Sequence, residues 1–120
     1  MGTPNKLKSD LEQFTGTFAY HKLSFLPIYA TDGVAYFCTR AKAMWLFDDM
    51  SFIALTNKQK EFIVTFVSVK DNECDITYED GNKNLIHKQH YPYTDLPAGD
   101  WKFYISNHPE QRVIMLPSEY

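Results

Sequence analysis

Four carboxylates give this sequence its most direct route to chemistry: Asp32, Asp48, Asp95 and Glu119. Two such groups brought together can act as general acid and general base when burial drives their pKa values apart. Structural roles are also open to them. Asp32 precedes Gly33, and Asp95 lies in a Tyr-Thr-Asp-Leu-Pro segment, so both are predicted to accept hydrogen bonds from nearby backbone N–H groups. Asp48 falls on the side of its predicted helix away from the apolar seam, which predicts a position facing solvent or a partner.

The other reactive side chains are not spaced like any known type of site. His87 and His90 fall an odd number of positions apart on one predicted strand, so they should point to opposite faces. The two remaining histidines add no metal-ligand spacing. Cys38 and Cys74 are too few for a disulfide framework, and both are predicted to be reduced thiols. Because a nucleophile elbow and a phosphate-binding glycine loop are also missing, the sequence predicts no metal and no cofactor.

The composition is that of one small folded domain. Of the 120 residues, 44% are hydrophobic and 16% aromatic, enough to enclose a core without a staple. We therefore expect a single domain over residues 1–120. The net charge of −3 and the scattered basic residues argue against nucleic-acid binding, which needs a cationic surface. Neither a secretory signal nor a run of membrane-spanning length occurs, so we expect no membrane association and a cytoplasmic location.

Apolar spacing predicts three helices in the first half of the chain. The first is predicted to start at Thr3, to carry one apolar stripe and to end at Gly16. The second starts at a cap formed by Thr31 and Asp32, although its VAYFC stretch is rich in β-forming residues and leaves a strand as the alternative. The third is predicted over residues 43–57. The segment between the first and second helices is expected to be extended or irregular.

Beyond about position 60 the apolar period changes from 3.6 to 2, which predicts a sheet. Short polar connections separate about five strands, so an antiparallel meander is expected. Its apolar face would be covered by the N-terminal helices. The predicted fold class is therefore α+β, with N-terminal helices packed on a C-terminal antiparallel β-sheet.

Aromatic residues provide a candidate binding surface. Most tyrosines are expected in the core or half buried in the sheet, because strands favour aromatic side chains for packing. Those that reach the surface near the segment YPYTDLPAGDW would anchor a protein partner, since Tyr and Trp give a large contact area at low entropy cost. Besides the four carboxylates, the candidate binding residues are Trp45, Tyr93, Trp101 and Tyr120.

Four segments connect the sequence to a family. They are Thr-Asp-Gly-Val at 31–34, Trp-Leu-Phe-Asp at 45–48, Tyr-Thr-Asp-Leu-Pro at 93–97 and Leu-Pro-Ser-Glu-Tyr at 116–120. With these segments in this order, the chain from about Leu11 onward resembles a family of uncharacterised bacterial and phage domains. The resemblance implies an origin in a bacterium, a phage or a mobile element, and it implies no activity. At Asp49 the family more often has a small residue, so this helix face is more acidic here.

Two functions follow from these observations. The first is a non-catalytic protein-interaction or regulatory and accessory module, with self-association into a homo-oligomer included among its modes of contact. The second is a small enzyme or ligand-binding domain that uses a cluster of Asp32, Asp48, Asp95 and Glu119. The second requires at least two of these carboxylates in one pocket.

Overall fold

The first helix is shorter than its sequence pattern predicts. The computed structural model describes residues 4–120, so the predicted start at Thr3 lies outside the described residues. Helix α1 covers Pro4–Leu11 and ends well before Gly16, contrary to prediction. The Phe14 N–H donates to the Leu11 carbonyl at 3.1 Å. Such three-residue bonds tighten the chain and close the helix before the glycine is reached.

The second and third helices form where the sequence predicts them. Helix α2 covers Asp32–Arg40, and the side chain of its N-cap Thr31 accepts a hydrogen bond from the Val34 N–H. The VAYFC stretch is therefore a helix and not the alternative strand. Helix α3 covers Met44–Thr56, and its C-cap is Asn57, the residue near which the helix was predicted to end. Within residues 4–120, no helix combines the length and the apolarity needed to cross a membrane.

The second half of the chain forms a sheet, as the change of period predicts. Its strands are β2 Phe62–Lys70, β3 Glu73–Asp80, β4 Leu85–Tyr91, β5 Gly99–His108 and β6 Gln111–Met115. One more strand belongs to the sheet: β1, Tyr29–Ala30, which comes from the irregular segment before α2. A 3₁₀ turn, Pro117–Glu119, follows β6.

The sheet has six strands in the order β1-β6-β5-β2-β3-β4, and its order is not that of a meander. The predicted number was too low because β1 is too short to show an alternating pattern. The predicted meander is wrong because β5 pairs with β2 and not with β4. The connection over residues 92–98 carries the chain from β4 to the other side of β2. Among the strands of residues 4–120, only β1 and β6 pair in parallel, so the α+β class with a mostly antiparallel sheet is confirmed.

The core lies between one face of the sheet and helices α2 and α3. Phe37 of α2 packs against Trp101 and Phe103 of β5, with ring centroids 5.3 and 5.2 Å apart. Cys38 and Cys74 are free, buried thiols, as predicted. Burial raises the pKa of Cys38 to about 12 and that of Cys74 to about 11, so both are protonated at neutral pH and unreactive.

The histidines of β4 point to opposite faces, as their spacing predicts. His87 lies opposite Tyr78 in the register, and Tyr78 is buried in the core. His90 lies opposite Asp75, on the face turned away from the helices, and its Nδ1 is 2.7 Å from the Asp75 Oδ1. His87 and His90 therefore cannot bind the same metal ion.

Candidate functional site

A cleft of about 1000 Å³ lies where the end of α2, the start of α3 and the connection from β4 to β5 meet. Three of the predicted binding residues line it: Trp45, Tyr93 and Asp95. They come from two sequence segments almost half the chain apart, and the return of β5 to the middle of the sheet brings these segments together. A volume of this size accommodates a small ligand or several residues of a peptide.

The floor of the cleft is built from α3 and the end of β4. The Trp45 ring meets the Tyr91 ring edge to face, with centroids 5.1 Å apart. The Tyr91 hydroxyl donates a hydrogen bond to Asp49 Oδ2. Burial raises the pKa of Asp49, although the bond from Tyr91 opposes the shift. Burial and the bond to Asp49 raise the pKa of Tyr91 to about 12, so the hydroxyl stays a donor at neutral pH.

One rim of the cleft is the Tyr93–Pro97 loop, whose residues alternate between inside and outside. Thr94 and Leu96 are buried at 5% and 4% exposure. The Thr94 N–H donates to the Asn72 carbonyl at 2.7 Å, and the Thr94 hydroxyl accepts from the Leu96 N–H at 3.1 Å. Tyr93 and Asp95 therefore project outward from a fixed backbone.

The two projecting side chains of this loop are bonded to each other. The Tyr93 hydroxyl donates to Asp95 Oδ1 at 2.8 Å. This hydrogen bond raises the pKa of Tyr93. The prediction that Asp95 accepts from backbone N–H groups in its own turn is wrong, because the shorter side chain of Thr94 fills that role.

The opposite wall is cationic and comes from the junction of α2 and α3. Arg40 lies over the Tyr36 ring, with its guanidinium carbon 5.7 Å from the centroid. Lys42 has a φ of 54° and forms the left-handed residue that ends α2, a position where glycine is common. On α1, which also lines the cleft, the Lys6 ammonium lies 3.2 Å from Asp10, and Asp10 also accepts a 2.8 Å hydrogen bond from the Tyr36 hydroxyl. The hydrogen bond from Tyr36, and after it the bond from Lys6, lowers the pKa of Asp10.

The cleft thus offers rings, carboxylates and cations without a metal-binding arrangement. Among residues 4–120, no group of three or more His, Cys, Asp or Glu side chains is placed to hold a metal ion. Arg40 and Lys42 form no ion pair with another described residue, so both are available to an acidic group. The arrangement suits recognition of a partially apolar ligand that carries charge.

Glu119 lies at the other end of α2 from the cleft. Its carboxylate accepts from the Thr31 hydroxyl at 2.5 Å, the Gly33 N–H at 2.9 Å and the Leu116 N–H at 3.0 Å. Gly33 leaves room for this contact, because a Cβ there would lie 2.8 Å from Glu119 Oε1 and 2.5 Å from Leu116 Cδ1. The segments TDGV and LPSEY therefore form one structural unit that closes the start of α2.

Asp32 also serves the start of α2, but not as its cap. Its carboxylate accepts from the Phe18 N–H at 2.8 Å and lies 2.7 Å from His21 Nε2. The hydrogen bond from the Phe18 N–H, and after it the contact with His21, lowers the pKa of Asp32. The predicted bond to a nearby backbone N–H is wrong, since Thr31 caps the helix and Asp32 ties down a segment that precedes it by more than ten residues.

The four carboxylates of the sequence hypothesis do not converge on one pocket. Asp32 and Glu119 surround the start of α2, and Asp95 lines the cleft at its other end, about 12 Å away along a helix of this length. Asp48 is exposed on α3, as predicted. Asp32 and Glu119 lie near each other but bind different groups: Asp32 contacts Phe18 and His21, whereas Glu119 contacts Thr31, Gly33 and Leu116.

Two predicted aromatic binding residues lie outside the cleft. Trp101 is 5% exposed and donates its indole N–H to the Pro97 carbonyl at 3.3 Å, so its predicted place at a binding surface is wrong. Tyr120 is 79% exposed and packs against Phe62 and Tyr104 on the far side of the sheet.

Sequence reasoning missed several residues of the cleft: Arg40, Lys42, Asp49 and Tyr91. Asp49 carried a signal, since it is the acidic departure from the family pattern, but its burial depends on β4 packing across α3. Arg40 and Lys42 resemble ordinary helix-end cations in the sequence. Arg40 and Lys42 line the same cleft as the Tyr93–Pro97 loop because of the strand order, which the sequence does not show.

The comparisons with known proteins give a family and a fold. The model of a family described as "Family of unknown function (DUF6876)" matches residues 5–120. A crystal structure of a protein of unknown function from Enterococcus faecalis is similar in fold, with a TM-score of 0.58 and 16% sequence identity. The likeness covers 81% of this chain and 92% of that chain. No curated protein matches the chain.

Proposed function

Since the chain belongs to the family of unknown function DUF6876, we propose a function from the geometry of its cleft: a non-catalytic module that binds a segment of a protein partner. The observation that carries the proposal is the Tyr93–Pro97 loop, which holds Tyr93 at 67% exposure on a backbone fixed from both sides. An exposed tyrosine on a rigid support loses little entropy when a partner covers it.

The floor and walls of the cleft support this proposal. Trp45 and Tyr91 provide a ring surface for an apolar or aromatic side chain of the partner. Arg40 and Lys42 face this surface from the opposite wall and suit an acidic residue next to that side chain. We infer a partner segment in which an apolar anchor is flanked by an acidic residue, in the cytoplasm of a bacterium or of a cell that carries a phage or mobile element.

The test is selection of binding peptides followed by measurement on matched variants. Peptides from a random displayed library are enriched on the wild-type protein, and their dissociation constants are compared for wild type, Tyr93→Ser and Arg40→Gln. The control is Tyr20→Ser, because Tyr20 is 51% exposed and does not line the cleft. We expect Tyr93→Ser to weaken binding by about tenfold or more, as loss of an aromatic anchor does.

The same peptides are located by NMR through the Trp45 indole N–H and the Thr94 amide. Shifts of these two signals upon titration would support the cleft as the site. Enrichment of no peptide, or peptides whose affinity depends on Tyr20 and not on Tyr93, would refute the proposal.

A second candidate function is a site for a small ligand or substrate centred on Asp49. The observation that favours it is the half-buried Asp49 carboxylate, which lines the cleft with a pKa raised by burial and lies next to the Tyr91 donor. A thermal-shift screen of small molecules on wild type, Asp49→Asn and the matched control Asp48→Asn tests it. Compounds that stabilise wild type and Asp48→Asn but not Asp49→Asn would support this candidate, and a screen without such compounds would reject it.

A further inference from the structure

The sheet face turned away from the helices carries apolar side chains at positions where polar, water-facing side chains are expected. Alternate residues of β2 from Ile63 to Val69 are buried on the helix side. Phe62, Val64 and Phe66 therefore point to the opposite face. An antiparallel sheet covered on one side normally alternates apolar and polar residues, whereas a strand that is apolar on both faces is typical of a sheet covered on both sides.

Aromatic rings dominate this outer face. Phe62 and Tyr104 lie 5.1 Å apart between centroids, and Tyr120 meets both of them edge to face, with centroid distances of 5.4 and 5.5 Å. Phe66 is 37% exposed and Tyr120 is 79% exposed. Phe62, Tyr104 and Tyr120 form one ring cluster, and the Lys102 ammonium, 5.5 Å from the Tyr104 centroid and 5.3 Å from that of Phe66, connects this cluster to Phe66. Exposed apolar patches of this kind mark interaction sites.

Charges of opposite sign lie on the two sides of this patch. On the β5 side, Lys102 is opposite Phe66 in the register, and its ammonium lies 5.3 Å from the Phe66 ring centroid. On the β3 side, Glu79 is opposite Val64. Neither Lys102 nor Glu79 forms an ion pair with any described residue. A cation and an anion therefore flank the same pair of β2 residues.

We propose that this outer face is the interface between two copies of the chain. A two-fold axis in the plane of the interface, passing between Val64 and Phe66, exchanges the positions of Lys102 and Glu79. The two positions are about 12 Å apart across β2, from the usual strand spacing and rise. Each Lys102 then faces the Glu79 of the other copy, and the aromatic patches cover each other, which is the self-complementarity that a symmetric dimer requires.

The charges of the face favour a second copy over a nucleic acid as the occupant. Exposed rings beside a lysine are also how single-stranded nucleic acids are bound. Lys70, Lys88 and Lys102 lie on this outer face, but Glu73, Asp75, Glu79 and Asp100 lie there with them. The face therefore has no cationic excess that would hold a row of phosphates. The face also lies on the opposite side of the sheet from α3 and the cleft, so this inference is independent of the proposed peptide site.

The test is the association state of the full chain by sedimentation equilibrium, with charge reversal at the two flanking positions. We expect the wild type to dimerise at micromolar concentration, and Lys102→Glu or Glu79→Lys to raise the dimer dissociation constant by about tenfold or more. The double variant Lys102→Glu/Glu79→Lys restores the pairing and should return to within about threefold of wild type. Lys58→Glu, an exposed lysine beyond α3, is the matched control and should leave the constant unchanged.

Each other outcome overturns the inference. A wild type that stays monomeric at the highest soluble concentration excludes the dimer. Single variants that dimerise like wild type, or a double variant that does not recover while its thermal unfolding matches that of the others, place the contact elsewhere. A monomer that binds a labelled single-stranded oligonucleotide, and loses this binding in Lys102→Glu, identifies nucleic acid as the occupant instead.

Discussion

Removing the Glu119 carboxylate should destabilise the protein at the start of α2. This carboxylate accepts three hydrogen bonds, from Thr31, Gly33 and Leu116, at a half-buried position. Loss of a capping side chain costs about 0.5–2 kcal/mol, and the interaction of a carboxylate with the helix dipole adds about 0.3–1 kcal/mol. We expect Glu119→Ala to lower the free energy of unfolding by about 2 kcal/mol. Glu119→Gln should cost about 1 kcal/mol, because the amide oxygen still accepts but carries no charge.

The assay is urea unfolding followed by tryptophan fluorescence, with the midpoint compared at constant slope. Glu110→Ala is the matched control, since Glu110 is an exposed acid in the turn between β5 and β6 that accepts no hydrogen bond in the described chain. Its unfolding free energy should stay within about 0.5 kcal/mol of wild type.

A coupled substitution separates the cap from a general effect of charge. Gly33→Ala places a Cβ 2.8 Å from Glu119 Oε1, so it should be less costly when the long side chain is already gone. The two substitutions should therefore be non-additive by about 0.5 kcal/mol or more. Equal midpoints for Glu119→Ala and Glu110→Ala, or the same cost of Gly33→Ala in both backgrounds, would refute the reasoning.

Three further predictions concern other points of the fold. Lys42→Gly should raise the unfolding free energy by about 1 kcal/mol in the same assay, because glycine accepts the φ of 54° without strain, and an unchanged midpoint would contradict this. Hydrogen bonds to Asp80, chiefly from the Asn84 N–H, lower the pKa of its carboxyl group from 3.8 to about 2. The ionised carboxylate therefore stabilises the fold above about pH 4, and this contribution is lost as the pH falls from about 4 to about 2. Asp80→Asn should flatten the pH dependence of the urea midpoint in that window, and an identical acid profile would count against the assignment. Asn107→Ala should lower the free energy of unfolding by about 3 kcal/mol. The buried Asn107 amide donates to the carbonyls of residues 54, 57 and 60 and accepts from Arg112. A loss below about 1 kcal/mol in urea unfolding would show that water replaces the amide.

The parts of the fold that were predictable from sequence are those with a local cause. The change of apolar period near position 60 predicts the division into helices and sheet, and the Thr31 hydroxyl predicts the start of α2. Gly16 does not end the helix because three-residue hydrogen bonds already close it after Leu11, where Phe14 packs on Tyr36 with ring centroids 5.3 Å apart. Local patterns carry no information of that kind.

The strand order and the cleft depend on contacts distant in sequence, so they could not be predicted. Nothing near β4 or β5 shows that β5 pairs with β2, yet this pairing places the Tyr93 loop against α3. Trp101 was a candidate surface residue because it ends the aromatic segment YPYTDLPAGDW, but its position in β5 is directed to the core. Asp49 is half buried because Tyr91 of β4 lies beside it in the floor of the cleft, and the position of β4 is again set by strand pairing.

The closure of α2 by Glu119 also has a consequence during synthesis. The hydrogen bond from Gly33 to Glu119 spans 86 positions, and that from Thr31 spans 88. A ribosome therefore releases the helix long before its capping group is made, and β1 must likewise wait for β6. The Thr31 side chain can cap α2 as soon as Val34 is made, but the bonds of Glu119 to Thr31, Gly33 and Leu116 can form only after residues up to 119 have left the exit tunnel.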